Sequence, residues 1–351
     1  MNFSTLASIT MMIVKLQFCT VALLEVLCGS WVAVLMYRKR MLCLLELCFT
    51  ATRGRRAGDI LHLSGDLQSE LFIIACLAPL AVTNLRAKPG HVVAAVDASG
   101  WGCASCTAPV PEHVCLELMR YTSMKGGWTK LESRAATWLR KHGLDDDAIM
   151  PDEGCGLGDH PLWNDVVRSL QFEVVDIRKT EDRVHINVAE ARAIFMAEAA
   201  AARLAPCTRL PIIGDSQAAG GAVAKGRSSS PLLNHELTRA LPNLLGGEIY
   251  SGQAWVRSAY NVADDPTRFV AIRGPAIPEP PWLALLRSHD YAALEALVAS
   301  HEASHGYDPL KPAREVIETR DDPSKLPIWH DVAVTRSPSH NRDLLRQVVT
   351  L

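Results

Sequence analysis

The sequence predicts an α/β domain, and three observations carry that prediction. Residues 92–106, "VVAAVDASGWGCASC", form a short continuous apolar run that ends on an aspartate and a glycine-punctuated turn. A run of that length and valine content fits a strand covered on both faces. Residues 209–226, "RLPIIGDSQAAGGAVAKG", repeat the theme: an apolar strand over 210–213, Asp215 at its end, and helix-compatible residues after it. Between the two, "RVHINVAEARAIFMAEAAAARL" reads as a long alanine-rich helix with Asn187 as its N-cap.

Composition limits what such a domain can be. At 351 residues the chain exceeds one ordinary domain, so one sizeable core with extra segments at its ends is expected. With 48% hydrophobic and 21% charged residues it belongs with globular chains. Its net charge of −2 carries no global signal for nucleic acid or membrane, so any such surface is local. Ten cysteines without the density of a disulfide scaffold point to reduced thiols and an intracellular setting, cytoplasmic or nuclear. The close pair Cys103 and Cys106 has no second ligand pair, which favours packing in a strand over zinc.

The chain divides into three parts. Residues 1–88 open with apolar runs interrupted by Lys15 and Glu25 and closed by "YRKR" at 37–40. Residues 26–37 are too few to span a bilayer, and residues 1–10 hold no basic residue of the kind a signal peptide needs. The preferred reading is a pair of amphipathic helices that require a partner surface, with a membrane segment as the lesser alternative. Residues 51–59, "ATRGRRAGD", read as a basic solvated turn. Residues 273–351 begin with the proline-rich linker "GPAIPEPPWLALL" and continue as one short helix over about 282–300. Charged, proline-containing segments such as "RDDPSKLP" follow, and loose order is expected there. No chemistry attaches to His301, His305 or His330.

Residues 89–272 carry the chemistry. The apolar run 91–96 brings Asp97 to the point where its strand emerges, and "SGWG" turns into a second strand over 103–110 to make a hairpin. Two strands that each end in an aspartate would, if adjacent and parallel, place Asp97 and Asp215 at one edge of the sheet. Like charges so placed repel unless a divalent cation holds them. "SAYNVADDPTR" adds Asp264 and Asp265 ahead of a proline. Taken singly, each acid has a plain role: Asp97 in a turn, Glu190 in a capping box, Asp215 as a cap, Asp264 at a helix start. Together they form an ordered set of strand Asp, helix Glu, strand Asp and late Asp.

That order, with the words "DASGWG", "HINVAEARA", "GDSQAAGGAVAKGRSSSPLLN" and "NVADDPTR", resembles the ribonuclease H domain of reverse-transcribing elements. The similarity is greatest to the domain that follows the polymerase in retrotransposons of the tyrosine-recombinase type, and it covers residues 91–268. The resemblance implies a ribonuclease H-like mixed five-stranded sheet with helices on both faces, flanked by the N-terminal helical extension and the C-terminal tail. It implies two magnesium ions, with manganese as an alternative. Asp97 would bridge them, Glu190 and Asp215 would ligate the second, and Asp264 would ligate the first, in preference to Asp265. The implied chemistry is endonucleolytic hydrolysis of RNA in an RNA–DNA hybrid, recognised by backbone shape and the 2′-hydroxyl. An inactive remnant or nucleic-acid-binding module of the same fold is the alternative.

Ser99, Gly100, Ser216 and Gln217, beside the two strand-end aspartates, are candidates for substrate contact, with turn and capping duty as the plainer role. Lys225 and Arg227 in "AKGRSSSPLLN" are candidates for backbone phosphates. Two departures from the family pattern stand out. An insertion over about 112–158 contains "GGWTKLESRAATWLRKHGLDDD", a helix expected to carry Trp128 and Trp138 as anchors or core. Residues 248–260, "EIYSGQAWVRSAY", lack the histidine common in the family's last loop. No "Y-x-D-D" polymerase word is present, and Asp145, Asp146 and Asp147 lack a strand context. The N-terminal helices therefore resemble the remnant of a connection to a polymerase, which is their expected partner.

Overall fold

A computed structural model describes residues 3–123, 161–180 and 184–304. The expected helix with Trp128 and Trp138, Asp145 to Asp147, His305, His330 and the C-terminal tail lie outside the described residues.

The centre is a mixed sheet of six strands. β4 (Val92–Ala98) turns into β5 (Gly102–Pro109), and β5 pairs antiparallel with β6 (Glu173–Lys179). On its other edge β4 runs parallel to β7 (Thr208–Gly214), with Ala94 opposite Ile212 and Ala95 opposite Ile213. β8 (Tyr250–Trp255) adds parallel to the far edge of β7. The family resemblance implies five strands; the sixth is the two-residue β3 (Lys88–Pro89), which precedes β4 and pairs with the start of β7. β1 (Phe18–Thr20) and β2 (Ile60–His62) form a separate antiparallel pair.

The predicted long helix is α7 (Ile186–Leu204). Ala189, Ala193, Ala197 and Ala200 lie on its buried side, and such short side chains let a helix backbone approach the sheet closely. Its cap differs from expectation. His185, not Asn187, is the N-cap, and its Nδ1 accepts from the Asn187 amide at 3.2 Å. Glu190 thus lies beyond the capping-box position and is released from that role. α8 (Gln217–Lys225) and α9 (Pro231–Gly246) follow β7, and α5 (Glu112–Met119) buries Val114, Cys115 and Leu118. Cys103 and Cys106 are buried in β5, and all cysteines among the described residues are free thiols.

The N-terminal extension belongs to the same compact unit, which takes in residues 1–159 and 170–275. It comprises α1 (Phe3–Leu16), α2 (Val21–Leu35), a 3-10 segment (Met36–Leu45), α3 (Glu46–Thr52) and α4 (Gly65–Leu77). Trp31 and Leu35 share one continuous core with Ala94 and Ile212 of the sheet. The partner surface that these helices require is therefore supplied in part by the chain itself. Met12, Phe18, Val26, Ile60 and Phe72 remain exposed.

Residues 21–52 are long and apolar enough to cross a membrane by length and composition. In the fold they are kinked at Arg38, where φ is −136° and ψ is 68°. The basic word that closes the apolar run turns inward there. Arg38 donates to the carbonyls of Leu244 (2.8 Å) and Ile249 (3.0 Å) and lies over the Tyr250 ring. It thereby bonds one carbonyl in the last turn of α9 and another just before β8. Arg40 grips buried Glu198 of α7 with two hydrogen bonds of 2.5 and 3.2 Å, and Ser251 Oγ donates to the same carboxylate at 2.5 Å.

A second unit, residues 160–169 and 276–351, contains α6 (Pro161–Ser169), α11 (Pro281–Arg287) and α12 (Tyr291–Ser304). Trp282 is buried and donates from Nε1 to Asp165 at 3.2 Å. The single helix expected here is two, because the chain turns at Ser288–Asp290 with His289 at φ 60°.

Removing one member of a buried ion pair leaves the other charge uncompensated. Arg40→Met is therefore expected to destabilise the full chain by about 3–5 kcal/mol in urea unfolding. Arg40→Met with Glu198→Gln should recover a large part of that loss, because no naked carboxylate remains.

Candidate metal centre

The parallel pairing of β4 and β7 brings Asp97 and Asp215 to the same edge of the sheet. Glu190 comes from the first turns of α7, which packs across β4. One oxygen from each of the three carboxylates lies within 4.8 Å of the others. Asp97 and Glu190 are buried, at 3% and 8% exposure, and Asp215 is half-buried. Among the described residues, no basic side chain forms an ion pair with any of the three.

The electrostatic consequence is large. Burial, then the charges of Asp215 and Asp264, push Asp97 up to about 8. Burial, then the charges of Asp97 and Asp215, push Glu190 up to about 9. The Ala98 backbone amide opposes both shifts and is outweighed. A hard, all-oxygen donor set that resists ionising without a cation beside it suits magnesium or manganese chemically. The three acids can thus hold one divalent cation.

Asp264 opens the four-residue helix α10 (Asp264–Thr267) and stands outside that group of three. Its charge reaches both Asp97 and Glu190, yet its Oδ1 pairs with Arg268 at 2.9 Å. Asp265 points elsewhere: Arg273 holds it through contacts of 2.6 and 2.7 Å, which keep its pKa below the ordinary value.

Three residues that the sequence reading did not single out hold these acids in register. Asn261 is fully buried; its Nδ2 donates to the Val96 carbonyl at 2.9 Å and its Oδ1 accepts from the Ala263 amide at 3.2 Å. It staples the Asp264 segment onto the strand that carries Asp97. The Thr267 hydroxyl lies 2.7 Å from the Asp264 carbonyl and 3.4 Å from Asp97 Oδ2. Trp255 donates to the Asp215 carbonyl at 2.7 Å. The signal for Asn261 was already present, since a polar residue sits directly before the apolar Val262-Ala263 of "NVADD".

The candidate substrate contacts are distributed around this centre. Ser99 closes the β4–β5 turn: its Oγ accepts from Trp101 and Gly102 amides and donates to the Thr267 carbonyl at 3.0 Å. Gly100 is exposed at the tip of that turn. Ser216 caps α8 by accepting from the Ala219 amide at 3.3 Å, and Gln217 is exposed as the first residue of the helix. Lys225 and Arg227 line a cavity of about 180 Å³ together with Ser228, Ser230, His185 and Asn187. The last two precede Glu190 by about one turn of α7. A larger cleft of about 340 Å³ carries Arg178, Lys179, Arg192 and Arg239, of which Arg178 pairs with Asp176 at 2.7 Å and Arg192 and Arg239 share Glu236 at 2.9 and 3.5 Å.

Comparison of the chain with protein-family models and with curated proteins finds no match.

The two raised carboxyls set the pH behaviour of the metal-free protein. Between the ordinary value near 4 and the raised values of about 8 and 9, the folded state keeps protons that the unfolded chain has lost. Their contribution to stability is full at acid pH and is lost as pH rises through that window. In EDTA, Asp97→Asn should therefore raise the unfolding temperature at pH 8 and change it little at pH 5. Added magnesium should raise the unfolding temperature of the wild type at pH 8 and leave that of Asp97→Asn nearly unchanged.

Proposed function

We propose that the chain is a retroelement-derived ribonuclease H-type nuclease that hydrolyses the RNA strand of an RNA–DNA hybrid. The observation that carries this reading is the convergence of Asp97, Glu190 and Asp215 from two parallel strand ends and one helix. The strand order, with β4 between β7 and β5, is compatible with the fold that the motif order implies.

In this reading Asp97, Glu190 and Asp215 would hold one divalent cation, and Asp97 with Asp264 would hold the other. Of two magnesium ions so held, one would acidify the attacking water and the other would stabilise the departing 3′ oxygen. The chain's own part is placement. Asn261 and Thr267 keep Asp264 beside Asp97, and Trp255 keeps Asp215 at its strand end. The cavity beside Lys225 and Arg227 takes a backbone phosphate, and the cleft beside Arg178 and Lys179 offers a second cationic surface to the hybrid. The exposed apolar residues of the extension fit a polymerase-type partner.

One observation favours a second reading, a nucleic-acid-binding module without catalysis. Asp264, the expected fourth ligand, is engaged by Arg268 and lies outside the group of three acids.

Incubation of the full chain with an end-labelled RNA–DNA hybrid separates the two. The nuclease reading expects cutting of the RNA strand with magnesium and none with EDTA. Asp97→Asn should lose at least about a hundredfold in rate, since even partners that merely orient a metal ligand are worth 10–100-fold. Tight hybrid binding with no cutting in magnesium or manganese would favour the module instead.

A further inference from the structure

The end of α8 and the loop of residues 226–230 that follows it lie between the candidate phosphate cavity and the N-terminal extension. Three contacts fix the side of this stretch toward the extension. Lys39 Nζ donates to the Ala224 carbonyl at 3.4 Å. Gly226 sits at φ +74°, and a Cβ there would overlap the Lys39 carbonyl, so both the backbone conformation and the close approach require glycine. The Arg227 guanidinium lies over the Phe49 ring, 4.9 Å from its centroid.

On its other side the same stretch lines the cavity with Lys225, Arg227 and Ser228 to Ser230. Asn234 braces it from within α9, accepting from the Ser228 amide and donating to the Ser228 carbonyl, both at 2.7 Å. The cavity is also bordered by the start of α9, where Ser230 gives no side-chain cap to the first amides. Two cations, several hydroxyls and a helix start together suit an anion. Phe49 helps to hold the Arg227 guanidinium at the wall of the cavity.

We infer that the N-terminal extension is a working part of this anion cavity: Phe49 and Lys39 are positioning residues that hold Arg227 and Lys225 to receive a backbone phosphodiester. The inference rests on the nucleic-acid reading of the same site and assigns its affinity in part to residues that touch no substrate.

The test uses the full chain carrying Phe49→Leu, which keeps apolar volume but removes the ring, beside Phe49→Tyr, which restores a ring. Hydrolysis of an RNA–DNA hybrid in magnesium gives KM and kcat; equilibrium binding of the same hybrid in EDTA across a KCl series gives Kd and its salt slope. Phe49→Leu should raise KM and Kd by about two- to five-fold, the worth of one cation–π contact, with kcat unchanged. The slope of log Kd against log salt should shrink by up to about 0.9, one phosphate contact. Phe49→Tyr should behave as wild type, and Gly226→Ala should shift KM and Kd in the same direction as Phe49→Leu. A Phe49→Leu protein with wild-type Kd and salt slope would overturn the inference. Wild-type chain that binds the hybrid in EDTA yet never cuts it contradicts the nuclease reading alone, and the Phe49 comparison in EDTA still decides this one. Wild-type chain that binds no hybrid overturns both.

Discussion

Three carboxylates forced together at the edge of a sheet are the constraint on which the rest of the structure turns. Asp97 and Glu190 are buried, Asp215 is half-buried, and among the described residues no basic side chain pairs with them. The fold tolerates this because strong local preferences converge there: a valine-rich strand, its parallel neighbour and an alanine-faced helix each pack well for reasons unrelated to charge. Stability is thus spent at one point and recovered in the surrounding core. This is the usual relation between a functional site and its scaffold.

The N-terminal extension contributes to that recovery. Arg38 bonds a carbonyl in the last turn of α9, and Arg40 neutralises Glu198 on the same helix that carries Glu190. From Glu198 to Glu190 is about two helical turns. The pair therefore anchors α7 from the side opposite its site-bearing end. Removing the extension would expose Glu198 and the core residues that Trp31 and Leu35 cover. The natural unit for measurement is accordingly the whole chain.

Much of the site was legible in the sequence because strand chemistry is local. An apolar run that ends on a carboxylate announces its own edge, and two such runs place Asp97 and Asp215 together once they pair in parallel. Asp265 is clamped by Arg273 and Asp264 is held by Arg268, two pairings that no local word of the sequence announces. What could not be read depended on distance along the chain. "YRKR" reads as an ordinary basic end to an apolar helix, and partners far along the chain turn it inward: the Leu244 and Ile249 carbonyls for Arg38 and Glu198, 158 positions away, for Arg40. The His185 cap and the break at His289 failed for the opposite reason. Neighbouring residues offered two nearly equivalent local choices, and packing selected between them.

The central claim is that Asp97, Glu190 and Asp215 form a divalent-cation site. The most direct measurement is an anomalous difference map from crystals of the full chain soaked in manganese. The account predicts a peak among the three carboxylates, at about 2.0–2.3 Å from an oxygen of each, as hard-cation coordination requires. A well-ordered site with no manganese peak there, at concentrations that saturate ordinary carboxylate sites, would contradict it.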